Sequence, residues 1–261
     1  MNNPTGTVSQ VVPPAHYPSL AGKRVLITGG GSGIGAGIVA AFAAQGAQVT
    51  FFDIADDASR ALEAALAGSV HPPRYIRCDL TDIDDLAARM KDAGPVDVLV
   101  NNAANDDRHD VADVTPQYWD ERMAVNLRHQ FFCAQAVAPG MAAAGGGSIM
   151  NVGSISWHLA QPNLSLYMTA KAAIEGLTRG LARDLGPDRI RVNCIVPGSV
   201  MTPRQERWHT PEGEAKILSA QCLHERVLIE DVAAMAVFLG SDNAMRCTGR
   251  DYYVDAGWYG A

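Results

Sequence analysis

Arg24-Val25-Leu26-Ile27-Thr28-Gly29-Gly30-Gly31-Ser32-Gly33-Ile34-Gly35 decides the fold of this chain. The first five residues are an apolar, β-branched run of strand length, and the following glycines open an alanine-rich stretch with helical character that ends near Gly46. A strand that turns through glycines into a helix brings backbone N–H groups and the positive end of the helix dipole to one point. That is a cradle for a pyrophosphate. The glycines at 29, 33 and 35 let the backbone turn tightly and approach the phosphates, so Gly29, Gly31, Ser32, Gly33, Ile34 and Gly35 are candidate cofactor contacts.

Outward from this motif, short β-branched or aromatic runs alternate with longer helical stretches. Candidate strands are 24–28, 48–53, 74–79, 96–101, 147–152, 191–196 and 252–255. Strands joined by helical crossovers form a parallel sheet covered on both faces, here a Rossmann-type, doubly wound α/β sheet of seven strands. Ligands of such sheets bind beyond the carboxyl ends of the strands. Asp53 closes the second candidate strand, where a carboxylate accepts hydrogen bonds from the adenosine ribose hydroxyls. A 2'-phosphate there meets like charge, and neither Ile54 nor Ala55 offsets it, so NAD is favoured over NADP. Asp79, followed by Leu80, closes the third strand and either orients the adenine or caps the next turn.

The whole chain has 261 residues and a formal net charge of -7, with Lys and Arg scattered. One domain over 20–261 is expected, preceded by a proline-bearing, flexible arm over 1–19 that resembles neither a signal nor a transit peptide. The charge balance leaves no footprint for nucleic acid or an anionic membrane, and no apolar run approaches the length of a membrane span. The five cysteines form no Cys-x-x-Cys pair, which fits a reducing cytoplasm, and no metal site is expected.

Chemistry enters with Tyr167 and Lys171, four residues apart in a helical stretch and therefore on one face, with Ser154 upstream. An ammonium beside a phenol favours the phenolate and suits the pair to general-base work on an alcohol. Taken together, the Thr28–Gly35 motif, Asn101-Asn102-Ala103-Ala104, Asn126, Ser154, Tyr167, Lys171 and Pro197-Gly198-Ser199-Val200-Met201-Thr202 resemble the short-chain dehydrogenase/reductase family over nearly the whole chain after the arm. The resemblance implies Tyr167 as base, Lys171 lowering its pKa and binding the nicotinamide ribose, Ser154 orienting the reacting oxygen, and Asn126 holding a proton-relaying water. It further implies Asn102, Ala103 and Ala104 beside the cofactor, and Pro197, Gly198, Val200 and Thr202 at the nicotinamide carboxamide. Ala104 stands where the family usually has Gly. A homotetramer is implied as well.

The segments after the fourth and fifth strands, Asn105-Asp106-Asp107-Arg108-His109 and Ile155-Ser156-Trp157-His158, are expected to face the cleft, with Arg204, Gln205, Trp208 and His209 beyond Thr202. Asp106, Asp107 and Arg108 either contribute there or form a salt-bridged turn. Asn105, Ser154, Ser156, His158, Tyr167, Arg204 and Trp208 are the candidate substrate contacts, a polar set with indole surface suited to a sugar. Over the stretches 101–132, 153–158 and 208–215 the chain resembles the bacterial sugar 1-dehydrogenase branch, which acts on D-xylose, L-arabinose, D-galactose or L-fucose. The implied reaction is NAD-dependent oxidation of an aldose at C1 to the aldonolactone. The alternatives are an NAD(P)H-dependent reductase of a 3-oxoacyl or other ketone, and a catalytically idle NAD-binding sensor or scaffold.

Overall fold

A computed structural model describes residues 15–206 and 210–260. Its sheet has seven parallel strands, β1 (Arg24–Thr28), β2 (Gln48–Asp53), β3 (Arg74–Arg77), β4 (Val98–Asn101), β5 (Gly147–Val152), β6 (Ile190–Pro197) and β7 (Asp251–Val254), in the order β3-β2-β1-β4-β5-β6-β7. The crossovers carry α1 (Gly33–Ala44), α2 (Asp56–Ala65), α3 (Ile83–Ala93), α4 (Pro116–Met123), α5 (His129–Ala143), α6 (Ser165–Leu185), α7 (Pro203–Glu206), α8 (Pro211–Ala220) and α9 (Ile229–Gly240). The strand order reverses between β1 and β4, so the loops after Thr28 and Asn101, paired in register, splay apart and open a crevice.

Alternation along each strand divides the core. Val25 and Ile27 of β1 pack with Ile38 and Phe42 of α1 and Val232 of α9, while Leu26 packs with Leu86, Cys133 and Val137 on the other face. Each face is apolar because helices cover both. Three expected strands are trimmed or moved by local bonding. The third stops at Arg77 because Asp79 turns the chain, its Oδ1 accepting from both the N–H and the hydroxyl of Thr81. The fourth begins at Val98 because Asp97 is engaged by the Arg24 side chain. The seventh is shifted back one residue, to start at Asp251.

Of the arm expected over 1–19, residues 1–14 lie outside the described residues. From Ala15 the chain is tied down: Gln45 accepts from the Tyr17 N–H at 2.8 Å and donates to the Ala15 carbonyl at 2.9 Å, and Leu20 is buried.

Between α4 and α5 the helix does not break but widens into a π turn over Ala124–Arg128. One extra residue in the turn frees carbonyls from the i−4 ladder. The Arg122 carbonyl receives the Asn126 side-chain amide at 3.0 Å.

Candidate active site

The carboxyl ends of β1 to β6 open into one cleft of about 1230 Å³. At its dinucleotide end, Gly29 has φ +66° and lies against Ala103, and a Cβ on Gly35 would sit 1.9 Å from the Gly29 carbonyl oxygen. Only glycine allows α1 to start this close to β1. No side chain caps α1 at Ser32, which leaves the first-turn N–H groups facing the cleft for an anion. Asn102 braces the loop from behind, its amide donating to the carbonyls of Thr28 at 3.1 Å and Gly29 at 3.0 Å. These features fit a dinucleotide pyrophosphate.

Asp53 does more than end β2. Its Oδ2 accepts from the Gly31 N–H at 2.8 Å, and its Oδ1 accepts from the N–H groups of Ile54 at 2.8 Å and Ala55 at 2.9 Å. The carboxylate thereby fixes the glycine loop and still lines the cleft, with lone-pair capacity left for a ribose hydroxyl. Gly31, expected as a cofactor contact, is instead committed to Asp53 and does not line the cleft. Asp79, Leu80, Ala104, Pro197, Gly198, Val200 and Thr202 do line it. The Thr202 hydroxyl also accepts from the Gln205 N–H at 3.3 Å, starting α7.

The chemistry sits where β5 and α6 meet. Lys171 is buried, donates to the Val152 carbonyl at 2.7 Å, and lies 5.4 Å from the centroid of the Tyr167 ring. The Ser154 hydroxyl accepts from the Ser156 N–H at 3.1 Å. Burial pushes the Tyr167 phenol up, and the Asp106 carboxylate pushes it further, against the Ser154 hydroxyl and Arg204, which pull it down. Burial likewise pulls the Lys171 ammonium down to about 8. At both groups desolvation outweighs the mutual help expected of a phenol and a neighbouring cation. Asn126 is buried one layer back and does not line the cleft. Its Oδ1 accepts from the Asn105 N–H at 2.8 Å, and its Nδ2 donates to the carbonyls of Asn105 at 3.0 Å and Arg122 at 3.0 Å. Both amide donors are thus spent on backbone, and the side chain fixes the loop that carries Asn105.

At the far end, Arg204 of α7 reaches across the mouth of the cleft to Asp106 at 2.9 Å and Asp107 at 3.0 Å. Asn105, Ser156 and Trp258 line the same end. The Ser156 hydroxyl is buried and has no partner among the described residues.

The model of the family described as "Enoyl-(Acyl carrier protein) reductase" matches residues 29–259. The chain belongs to the short-chain dehydrogenase/reductase family. It is 65% identical over 244 residues to a D-xylose 1-dehydrogenase of Caulobacter vibrioides, covering 94% of this chain and 98% of that one. Identity to "Probable galactose dehydrogenase GalD" of Rhizobium meliloti is 47% over 252 residues, covering 94% of this chain and 98% of that one. Among solved structures, a 7α-hydroxysteroid dehydrogenase complexed with NADH superposes with a TM-score of 0.87 at 33% identity, covering 92% of this chain and 96% of that one. The chain is therefore an oxidoreductase of this family and falls in its sugar 1-dehydrogenase branch. The family binds NAD(P).

Within this family member, one expected substrate contact falls elsewhere. His158 is not on the wall of the cleft: its ring is sandwiched with Trp157 and Tyr259, each at 3.6 Å between centroids, and its Nε2 meets the Tyr253 hydroxyl at 3.1 Å and Glu175 at 3.4 Å. The short 3-10 turn over Ile155–Trp157 swings it behind the sheet edge. Trp208 and His209 lie outside the described residues. Conversely, Gln161, Leu164 and Ile217 line the cleft and carry no motif that marks them. Only their chain position, beside Tyr167 or opposite it on the segment after β6, points to them.

Proposed function

We propose that this chain oxidises an aldose at C1 to the aldonolactone, with NAD as acceptor, and that D-xylose or a related sugar is its substrate. The observation that carries this reading is the meeting of Ser154, Tyr167 and Lys171 in a cleft that also presents Asn105, Asp106, Ser156 and Gln161. Tyr167 Oη takes the proton of the C1 hydroxyl, and Ser154 Oγ donates to the same oxygen to hold it in place. Lys171, fixed by the Val152 carbonyl, favours the phenolate while protonated and is placed to donate to the nicotinamide ribose. When bound, the oxidised nicotinamide supplies a positive charge and the acceptor for the C1 hydride, so that aldose and NAD⁺ give lactone, NADH and one proton. Asn126 keeps the loop that carries Asn105 in register with the π turn, and its Oδ1 retains room to accept from a relaying water.

NAD is the favoured cofactor because Asp53, at the ribose end, repels a 2'-phosphate. The sugar is bound by Asn105, Ser154, Tyr167 and the unpartnered hydroxyl of Ser156. Residues 20–261 act as one catalytic domain. We further propose a cytoplasmic homotetramer, in keeping with the resemblance; among the described residues no helix is long and apolar enough to cross a membrane.

The test is kcat/KM with NAD and with NADP across D-xylose, L-arabinose, D-galactose, L-fucose and D-glucose, followed by absorbance of the reduced cofactor. Turnover with NAD on at least one pentose is expected, as is loss of turnover by at least about a hundredfold in Tyr167→Phe. Silence on every sugar, or full activity without the phenol, would overturn the reading.

A further inference from the structure

The acidic residues that line the cleft among the described residues are Asp53, Asp79 and Asp106, and the first two stand at the adenosine end. Asp106 alone faces the reacting end. Its backbone is registered to the π turn between α4 and α5 through Asn105, which the Asn126 amide holds at 2.8 and 3.0 Å. Its Oδ1 takes the Arg204 guanidinium at 2.9 Å, and the same guanidinium is shared with Asp107, whose other oxygen meets the buried Arg122 at 3.3 Å. The Asp106 side chain is nevertheless 39% exposed, and its second oxygen has no partner among the described residues.

We propose that Asp106 is a specificity-determining residue, its carboxylate accepting a hydrogen bond from a sugar hydroxyl other than the one oxidised. The inference rests on the sugar reading above. A carboxylate is the strongest acceptor a protein can offer a hydroxyl, and one already paired with a guanidinium can be covered by substrate without burying a lone charge. Its position carries a cost for the chemistry, since its negative charge disfavours the Tyr167 phenolate, and Arg204 acts in the opposite sense. An acid that opposes the base it faces is accounted for if a ligand group engages it.

The experiment compares wild type and Asp106→Ala on D-xylose and on its three monodeoxy analogues, at C2, C3 and C4, with NAD. In wild type, one analogue should lose roughly tenfold or more in kcat/KM relative to D-xylose, and Asp106→Ala should lose as much on D-xylose yet little further on that analogue. An equal penalty from Asp106→Ala on all four sugars would overturn the proposal and make the residue part of the wall only. The acid limb of the kcat/KM profile should also move to lower pH in the variant; an unmoved limb counts against the carboxylate facing the base. Should Asp106→Ala fail to fold, Asp106→Glu replaces it, and an unchanged ranking of D-xylose, L-arabinose and D-galactose would reject the idea. Wild type inert on every sugar is a different result, the failure of the aldose reading itself.

Discussion

The Lys171 ammonium donates to the Val152 carbonyl at 2.7 Å and sits 5.4 Å from the centre of the Tyr167 ring, so the helix that carries the base also carries a buried cation anchored to β5. Such a cation has a thermodynamic signature. With burial holding its pKa near about 8, against an ordinary 10.5, the folded apoprotein releases this proton earlier than the unfolded chain does. Between those values the unfolded state binds more protons, and stability contributed by this site rises with pH, by about 1.4 kcal/mol per unit. Below pH 8 the full cost, about 3 kcal/mol, is present. Lys171→Met should therefore be more stable than wild type near pH 7, and the gap should close as denaturant unfolding is repeated toward pH 10.

Asp53 serves both the loop and the cofactor. Removing it in Asp53→Ala strands the N–H groups of Gly31, Ile54 and Ala55, which should lower stability by about 1–3 kcal/mol. It also removes the charge that repels a 2'-phosphate, so the ratio of kcat/KM with NAD to that with NADP should fall by about tenfold or more. An unchanged ratio would leave Asp53 with its loop-holding role alone.

Gly35→Ala places a methyl 1.9 Å from the Gly29 carbonyl oxygen and 2.6 Å from the Asn102 amide. Neither is the free end of a flexible chain, so α1 must move away from β1. Dinucleotide affinity measured by titration should be lost, with a stability cost of about 1–3 kcal/mol.

His158→Ala should behave differently from a substrate-contact mutant. It removes a ring stacked on Trp157 and Tyr259 and a hydrogen bond to Tyr253, which should lower Tm. The KM for sugar should stay where it was. A selective rise in KM with unchanged Tm would return His158 to the cleft.

Much of this architecture is legible in the chain because its signals are local. The runs 24–28, 48–53 and 147–152 are short, β-branched and bounded by turn residues, and they appear as β1, β2 and β5 with those limits. Tyr167 and Lys171 share a face because helical spacing alone puts them there. What escapes such reading depends on distant partners. His158 is claimed by Tyr259, about a hundred residues later, and Gly31 by the carboxylate of Asp53 on the next strand. The two donors of Asn126 go to backbone carbonyls that become reachable only once the helix has widened.

That widening sets a mechanical constraint on the site. A helical residue advances about 100° around its axis, so the surplus residue in the 124–128 turn rotates α4 by that much relative to α5. One continuous rod can then bury Cys133 and Val137 against the sheet while offering Asn126, braced on the Arg122 carbonyl, to the loop that carries Asn105. Deleting a single residue within it would restore an ideal spiral and swing one half out of phase with the other. The catalytic end and the structural end of this rod are kept in step by an irregularity, and regularising it would uncouple them.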